Sequence, residues 1–346
     1  MGGIILKRIL LVFLGLLLAV TLLSWDFHGA QANASSHAKG VKRYEKIELP
    51  KVKTSESNLL KNKNRIKEKP VRKELSAQQI EKLKELGPYA MVSSHGKIID
   101  QSKYVKKGKP LMQRAKEHYL SKSRIQAEDN RIRIDATTSP PYNAIASLEF
   151  LDKDENVYSC TGYYIDRNTV VTAAHCVFDT WNDEWLPELV WVAPGRKGNE
   201  LPYDWTYGIE LNIVSGWVNV VPPKEGYLSY DQVQYDFAVI QVADSHSKWM
   251  DLYPFGYGEG DTVNATGFPG DKEYGYMYNS TGKITNWDTS YNVITHSCYV
   301  WHGTSGGPIW SQSGNRAIGI VSTTSWSPLI HSSVYNLIYE WANENG

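Results

Sequence analysis

The larger, C-terminal part of the chain predicts an all-β domain of sandwich or barrel type, behind two N-terminal segments of different character. Three observations carry this. Beyond Tyr142, short runs rich in Val, Ile, Tyr and Trp alternate with Gly, Pro, Asn and Asp. Helical periodicity is nearly missing there until the C-terminus. Charge divides sharply along the chain: residues 35–135 hold 26 Lys and Arg against 12 Asp and Glu, whereas residues 136–346 hold 9 against 24. These nets of +14 and −15, with +1 from the first 34 residues, give the overall zero. An acidic domain of this kind repels phosphate, which argues against a nucleic-acid partner.

The first element is an address. Lys7 and Arg8 precede an apolar run from Ile9 to Trp25, and Ala30-Gln31-Ala32 offers small residues for cleavage. That order predicts a secretory signal peptide over residues 1–34. A retained anchor is the alternative, and the run is at the short limit for crossing a bilayer. Export places the protein outside the cell, free of stable membrane association after cleavage, and makes a disulfide permissible.

Residues 35–124 form a basic segment. From Ser35 to Lys73 it is rich in Lys, Asn and Glu, and is expected to be extended or disordered when alone. Ser76, with Gln79 three residues on and Ile80, Leu83 and Leu86 at helical spacing, predicts a capped helix that Gly87-Pro88 ends. Leu111 to Leu120 is a second helical candidate. Its position and charge suggest a propeptide that docks on the acidic domain as an intramolecular inhibitor or chaperone and is then removed. A solvated linker or a wall tether that holds the protein at the cell surface are the other readings. Cuts after Ser123, Arg124 or Glu128 would start the mature domain, residues 125–346.

Ten strands are expected in that domain: Ala144–Leu151, Tyr158–Ile165, Thr169–Ala173, Leu189–Ala193, Tyr207–Val214, Phe237–Val242, Thr262–Phe268, Ser280–Trp287, Asn292–Thr295 and Ala317–Thr323. Val334, Leu337, Ile338 and Trp341 share one face of a C-terminal helix.

Three places carry chemistry. The strand from Thr169 runs into Ala174-His175-Cys176. Asp236 stands at the mouth of an apolar strand. Gly303-Thr304-Ser305-Gly306-Gly307-Pro308 is a Gly-rich turn around a serine. A serine hydroxyl needs a base to take its proton, and imidazole is the natural base near neutral pH. A buried carboxylate fixes the imidazole tautomer. Glycine at 303 lets backbone approach closely, so the N–H groups of Gly303 and Ser305 are the candidate oxyanion donors. The order His, Asp, Ser is that of the two-barrel proteases, and no Gly-x-Ser-x-Gly elbow is present. No His-Glu-x-x-His spacing occurs, so neither a catalytic metal nor another cofactor is expected. Abundant Asp and Asn leave a structural calcium open, without a loop signature for it.

Thr172-Ala173-Ala174-His175-Cys176, the Asp236 strand and the Ser305 turn resemble the chymotrypsin-fold serine peptidases. Ser159-Cys160-Thr161-Gly162, Ala193-Pro194-Gly195-Arg196 and Gly267-Phe268-Pro269-Gly270-Asp271-Lys272 are similar to the bacterial glutamyl endopeptidase branch. The resemblance covers roughly Arg131 to the C-terminus. It implies two six-stranded antiparallel β-barrels with a His175, Asp236, Ser305 triad between them, a secreted zymogen, protein or peptide substrates, and a disulfide between Cys160 and Cys176. Closing that loop of about 15 residues is worth roughly 3 kcal/mol in the chain-entropy model. Cys298 then remains unpaired, read as a buried strand thiol, with an intermolecular bridge as the alternative.

The likeness also sets the specificity question. Six residues before the serine, where trypsin-like enzymes place Asp, this chain has Tyr299. Where glutamyl endopeptidases place His after the serine, it has Val321. Thr304, just before the nucleophile, removes the Asp that trypsin-like activation needs. His296 or His302 could meet a substrate carboxylate from another wall, and Ser322 is expected to line the pocket and hold substrate backbone. Preference for Glu or Asp before the scissile bond and apolar or broad preference are both carried forward. A protease-fold binding protein or toxin with little turnover is the reading from a different class.

Overall fold

The computed structural model describes residues 44–67, 73–101, 128–220, 222 and 224–343. The expected signal peptide, the helix from Leu111 to Leu120 and the cuts after Ser123 or Arg124 lie outside the described residues.

The basic segment gains order from the β domain. It forms β1 (Tyr44–Lys46), α1 (Asn58–Asn62), α2 (Ala77–Glu85), β2 (Met91–Ser93) and β3 (Ile98–Ile99). The α2 helix is the capped one predicted: Ser76 and Gln79 make a reciprocal capping box, and Leu83 is buried. At α1 the domain itself provides the anion. Glu149 accepts from Ser57 Oγ at 2.7 Å and from the N–H groups of Asn58 and Leu59 at 3.2 and 2.9 Å. The same carboxylate meets Arg196 at 3.1 Å, both side chains fully buried, and accepts from Tyr274 Oη at 2.6 Å. A buried ion pair persists only when its remaining valences are hydrogen-bonded. Here the segment supplies three of those bonds.

After β4 (Ile132–Arg133), alternating apolar residues build β5 (Ile145–Leu151), β6 (Val157–Tyr164), β7 (Thr169–Thr172), the short hairpin β8 (Phe178–Asp179) and β9 (Glu184–Trp185), β10 (Leu189–Pro194), β11 (Thr206–Val214), α3 (Ser215–Asn219), β12 (Tyr227–Ser229) and β13 (Ala238–Val242). Six of them, ordered β10-β5-β6-β7-β13-β11, close into a barrel through β10 and β11. On the outside of β11, β2 pairs antiparallel with Asn212–Val214 and carries β3 beyond it. Leu75, Leu83, Tyr89, Met91 and Val92 of the segment join the barrel's own hydrophobic core.

The second unit of the fold holds β14 (Thr262–Gly267), β15 (Tyr278–Asp288), β16 (Val293–His296), β17 (Pro308–Ser311), β18 (Arg316–Ile320) and β19 (Trp326–Pro328), in the order β18-β17-β14-β15-β16-β19. An isolated bridge between Gly319 and Leu329 brings the two ends of this path together. Its core contains Val263, Ile284, Ile294, Cys298, Ile309 and Val321. The last helix, α4 (Ser332–Asn343), buries Val334, Leu337, Ile338 and Trp341, the predicted face. The fold class is therefore all-β, with one closed six-stranded barrel, a half-barrel of seven strands in which β4 pairs with β15 off the main path, and a C-terminal helix. Each of the ten expected strands is present, with ends moved by at most three residues.

Candidate active site

Register puts His175 beside Asp236. In the antiparallel pair β7 and β13, Thr172 faces Ala238, so the trailing end of one strand lies at the leading end of the other. His175 follows in a 3-10 turn after β7, and Asp236 caps a 3-10 turn before β13. Both are buried. Asp236 Oδ2 lies 2.7 Å from His175 Nδ1, and Oδ1 accepts from the His175 backbone N–H at 2.9 Å. The carboxylate thus grips the residue twice, which fixes the ring and puts the proton on Nδ1. Nε2 is buried and makes no hydrogen bond to a described residue. A third donor to Asp236 is the Ser322 hydroxyl. The sequence assigned Ser322 to a pocket wall. It lines the cleft, but its hydroxyl is spent on the carboxylate.

Ser305 sits in the turn that feeds β17. Gly303 there has φ +97°, and a Cβ on it would stand 2.6 Å from the Phe268 carbonyl oxygen. Only glycine fits. The N–H groups of Thr304, Gly306 and Gly307 bond to Trp301, Val321 and Thr304 carbonyls. The turn itself does not use those of Gly303 and Ser305. Thr161 of β6 stitches this turn to the first barrel. Its N–H donates to the Ser305 carbonyl at 2.8 Å, its Oγ1 donates to the Gly303 carbonyl at 2.8 Å, and Oγ1 accepts from the Phe268 N–H at 3.0 Å. Sequence reasoning quoted Thr161 within a motif and gave it no role. Beside it, Cys160 and Cys176 are joined by a disulfide at a Cα separation of 6.5 Å.

The pocket at Ser305 is lined by Val300, Trp301, His302, Val321, Ser322, Thr323 and Thr324, with Lys46 and Ile47 of the basic segment. Burial lowers the His302 pKa, so its imidazole is neutral near pH 7. Val321 stays apolar against the core. Tyr299 lies outside this lining. Its ring sits under the Arg131 guanidinium, 4.6 Å away, because the side chain turns toward the start of the β domain. Arg131 in turn pairs with Asp129 and Asp271 at 2.8 and 2.6 Å. His296 is buried away from the pocket lining, with Nε2 3.2 Å from Ser327 Oγ. Cys298 is buried and unpaired, and burial pushes its thiol up to about 12.

The basic segment runs through the cleft. Residues Tyr44–Lys46 pair antiparallel with Tyr227–Ser229, and the Ile47 N–H bonds to the Gly226 carbonyl. Farther on, the Pro50 carbonyl accepts from the Ser159 N–H, Val52 donates to the Val157 carbonyl, and Lys51 bridges to Tyr158. Between these anchors Ile47 lines both the Ser305 pocket and a cavity of about 290 Å³ beside His175. Only about 10 Å³ remains open in the Ser305 pocket.

A closed barrel beside a half-barrel, with a buried His–Asp pair on the first and a Gly-rich serine turn on the second, is the architecture of a chymotrypsin-fold peptidase. The comparisons agree: the trypsin-like peptidase domain family matches residues 160–320. An extracellular metalloprotease of Bacillus subtilis is 32% identical over 241 residues, 65% of this chain and 72% of its own. A glutamyl endopeptidase of Bacillus licheniformis is 30% identical over 225 residues, 64% of each chain. A solved Glu endopeptidase in complex with MPD superposes with a TM-score of 0.54 at 23% identity, over 63% of this chain and 98% of its own, a likeness of fold. The chain carries a trypsin-like peptidase domain, is similar to a glutamyl endopeptidase over just under two thirds of either chain, and is a serine endopeptidase. One relative is named for a metal. Among the described residues of this chain, no group of three or more His, Cys, Asp and Glu stands together as metal ligands would. Among the described residues, too, no helix is long and apolar enough to cross a membrane.

Proposed function

We propose that the protein hydrolyses peptide bonds through an acyl-enzyme on Ser305, and that it is made as an exported precursor held inactive by its own basic segment. His175 Nε2 takes the Ser305 proton as Oγ attacks the scissile carbonyl. Asp236 holds Nδ1–H and stabilises the imidazolium. The N–H groups of Gly303 and Ser305 receive the developing oxyanion. The imidazolium then protonates the leaving amine, and water reverses the sequence to free the acid. No cofactor enters. The observation that carries this reading is the doubly gripped, buried His175 whose Nε2 meets no partner among the described residues, near a turn whose Gly303 and Ser305 N–H groups make no backbone bond to a described residue.

The segment supports the precursor reading because residues 44–52 fill the route a substrate would take. On this reading residues 1–34 are the export signal and the cut that frees the β domain falls near residues 123–128. Acidic preference N-terminal to the scissile bond is the specificity proposed by likeness to the branch. Val321 favours the apolar alternative, since a substrate carboxylate against it would lose its solvation without a partner. The test uses protein freed of the segment, beside Ser305→Ala. A fluorophosphonate should label Ser305 once per molecule, and peptide cleavage should vanish in the variant. Labelling without turnover would instead favour the binding-protein reading.

A further inference from the structure

One residue of the segment is held in a way that the rest is not. Glu45 is 8% exposed, the buried member of an otherwise exposed strand. Its two carboxylate oxygens accept one hydrogen bond each, from Thr324 Oγ1 and Ser325 Oγ, both at 2.8 Å. Thr324 also lines the Ser305 pocket. His296 stands behind this pair: its N–H donates to the Ser325 carbonyl, its ring is buried, and Glu45 is among the charges acting on it. Burial lowers the His296 pKa to about 4, so the imidazole is neutral at pH 7 and the carboxylate is met by hydroxyls, not by a cation.

We propose that Thr324 and Ser325 form a carboxylate-binding subsite of the substrate cleft, on the amino-terminal side of the scissile bond, which Glu45 occupies in the precursor as an internal substrate mimic. This rests on the reading of Ser305 and His175 as the reacting groups. The chain direction fixes the side. Glu45 precedes Ile47, which reaches both the Ser305 pocket and the His175 cavity, while Pro50 to Val52 lie on β6 beyond. A buried acid is tolerated where its oxygens are hydrogen-bonded, and bonds to charged groups are the stronger kind. The hydroxyl pair thus does what Val321 cannot, and the chain reads acidic side chains with groups other than a histidine at 321. Substrates with Glu at this subsite are the class implied, with Gln, which lacks the charge, as the discriminating control.

The experiment uses the processed enzyme, with sites counted by fluorophosphonate titration. Peptides with Glu or Gln at each of the four positions before the scissile bond are compared by kcat/KM. One position should favour Glu by at least tenfold, and Thr324→Val with Ser325→Ala should collapse that ratio to within about threefold. A second arm avoids any folding defect. The free peptide of residues 44–52 should inhibit wild-type enzyme, and Glu45→Gln should weaken it at least tenfold. A Glu/Gln ratio unchanged in the double variant, no position favouring Glu, or equal inhibition by the two peptides would each overturn the subsite. Failure of the wild-type protein to be labelled at all would sink the peptidase mechanism instead.

Discussion

Thr161→Val isolates the stitch between the two halves of the site. Valine keeps the shape of threonine and removes one oxygen. The Gly303 carbonyl then loses its donor and the Phe268 N–H its acceptor, both buried. Each orphaned group costs about 1–3 kcal/mol, so the variant should lose roughly 3 kcal/mol of stability. For a domain of this size that lowers Tm by roughly 6–12 °C. Gly303 is also the proposed oxyanion donor. Deleting such a donor costs about 10²–10³ in kcat, so loosening one should cost about tenfold. Denaturant unfolding and kcat/KM per titrated site, on processed protein, read the two effects separately. A fall in stability with kcat/KM within twofold of wild type would refute the positioning role. The backbone bond from Thr161 to Ser305 would then suffice to hold the turn.

Ser322→Ala removes one of three hydrogen bonds to Asp236, and kcat/KM should fall about tenfold at constant KM, checked by steady-state kinetics. The His296 pKa is depressed by burial to about 4 in the folded protein, against about 6.5 unfolded. The unfolded chain therefore binds more protons between those values, so stability is whole above pH 6.5 and falls toward pH 4, by about 3 kcal/mol from this group. Urea midpoints across that range should show the fall, and His296→Gln should flatten it. Cys298, whose thiol burial holds neutral, should resist a maleimide at pH 8 in the native protein and react fully in urea.

The β domain was legible because its strands alternate cleanly and its Gly, Pro, Asn and Asp residues punctuate them. Strands β17 and β19 escaped: they are four and three residues long, and one begins at a proline after two glycines. His175, Asp236 and Ser305 stood out as candidates because each lies at a strand end with a local signature, and the structure joins the first two. Tyr299 was placed by counting back from the serine, and counting does not reveal a ring drawn aside by Arg131. The route of the basic segment was hidden for a related reason. Its composition forbids order alone, and the groups that order it, Glu149 for α1 and Thr324 with Ser325 for Glu45, lie 90 to 280 residues away. Glu149 itself is a charge inside an apolar strand, an oddity whose meaning appears only with Arg196 and α1 in place.

If the basic segment is removed as proposed, the pairing of β2 with Asn212–Val214 leaves a cost with the processed molecule. Those three residues have their outer N–H and C=O groups covered only while the segment is present. Once it leaves, the strand becomes a bare margin of the barrel sheet, flanked by apolar surface that Leu83, Met91 and Val92 had shielded. A bare margin accepts any strand of suitable register, including that of a second molecule. On that proposal, removal of the segment would leave a flank inclined to pair, and the freed segment would compete with that pairing.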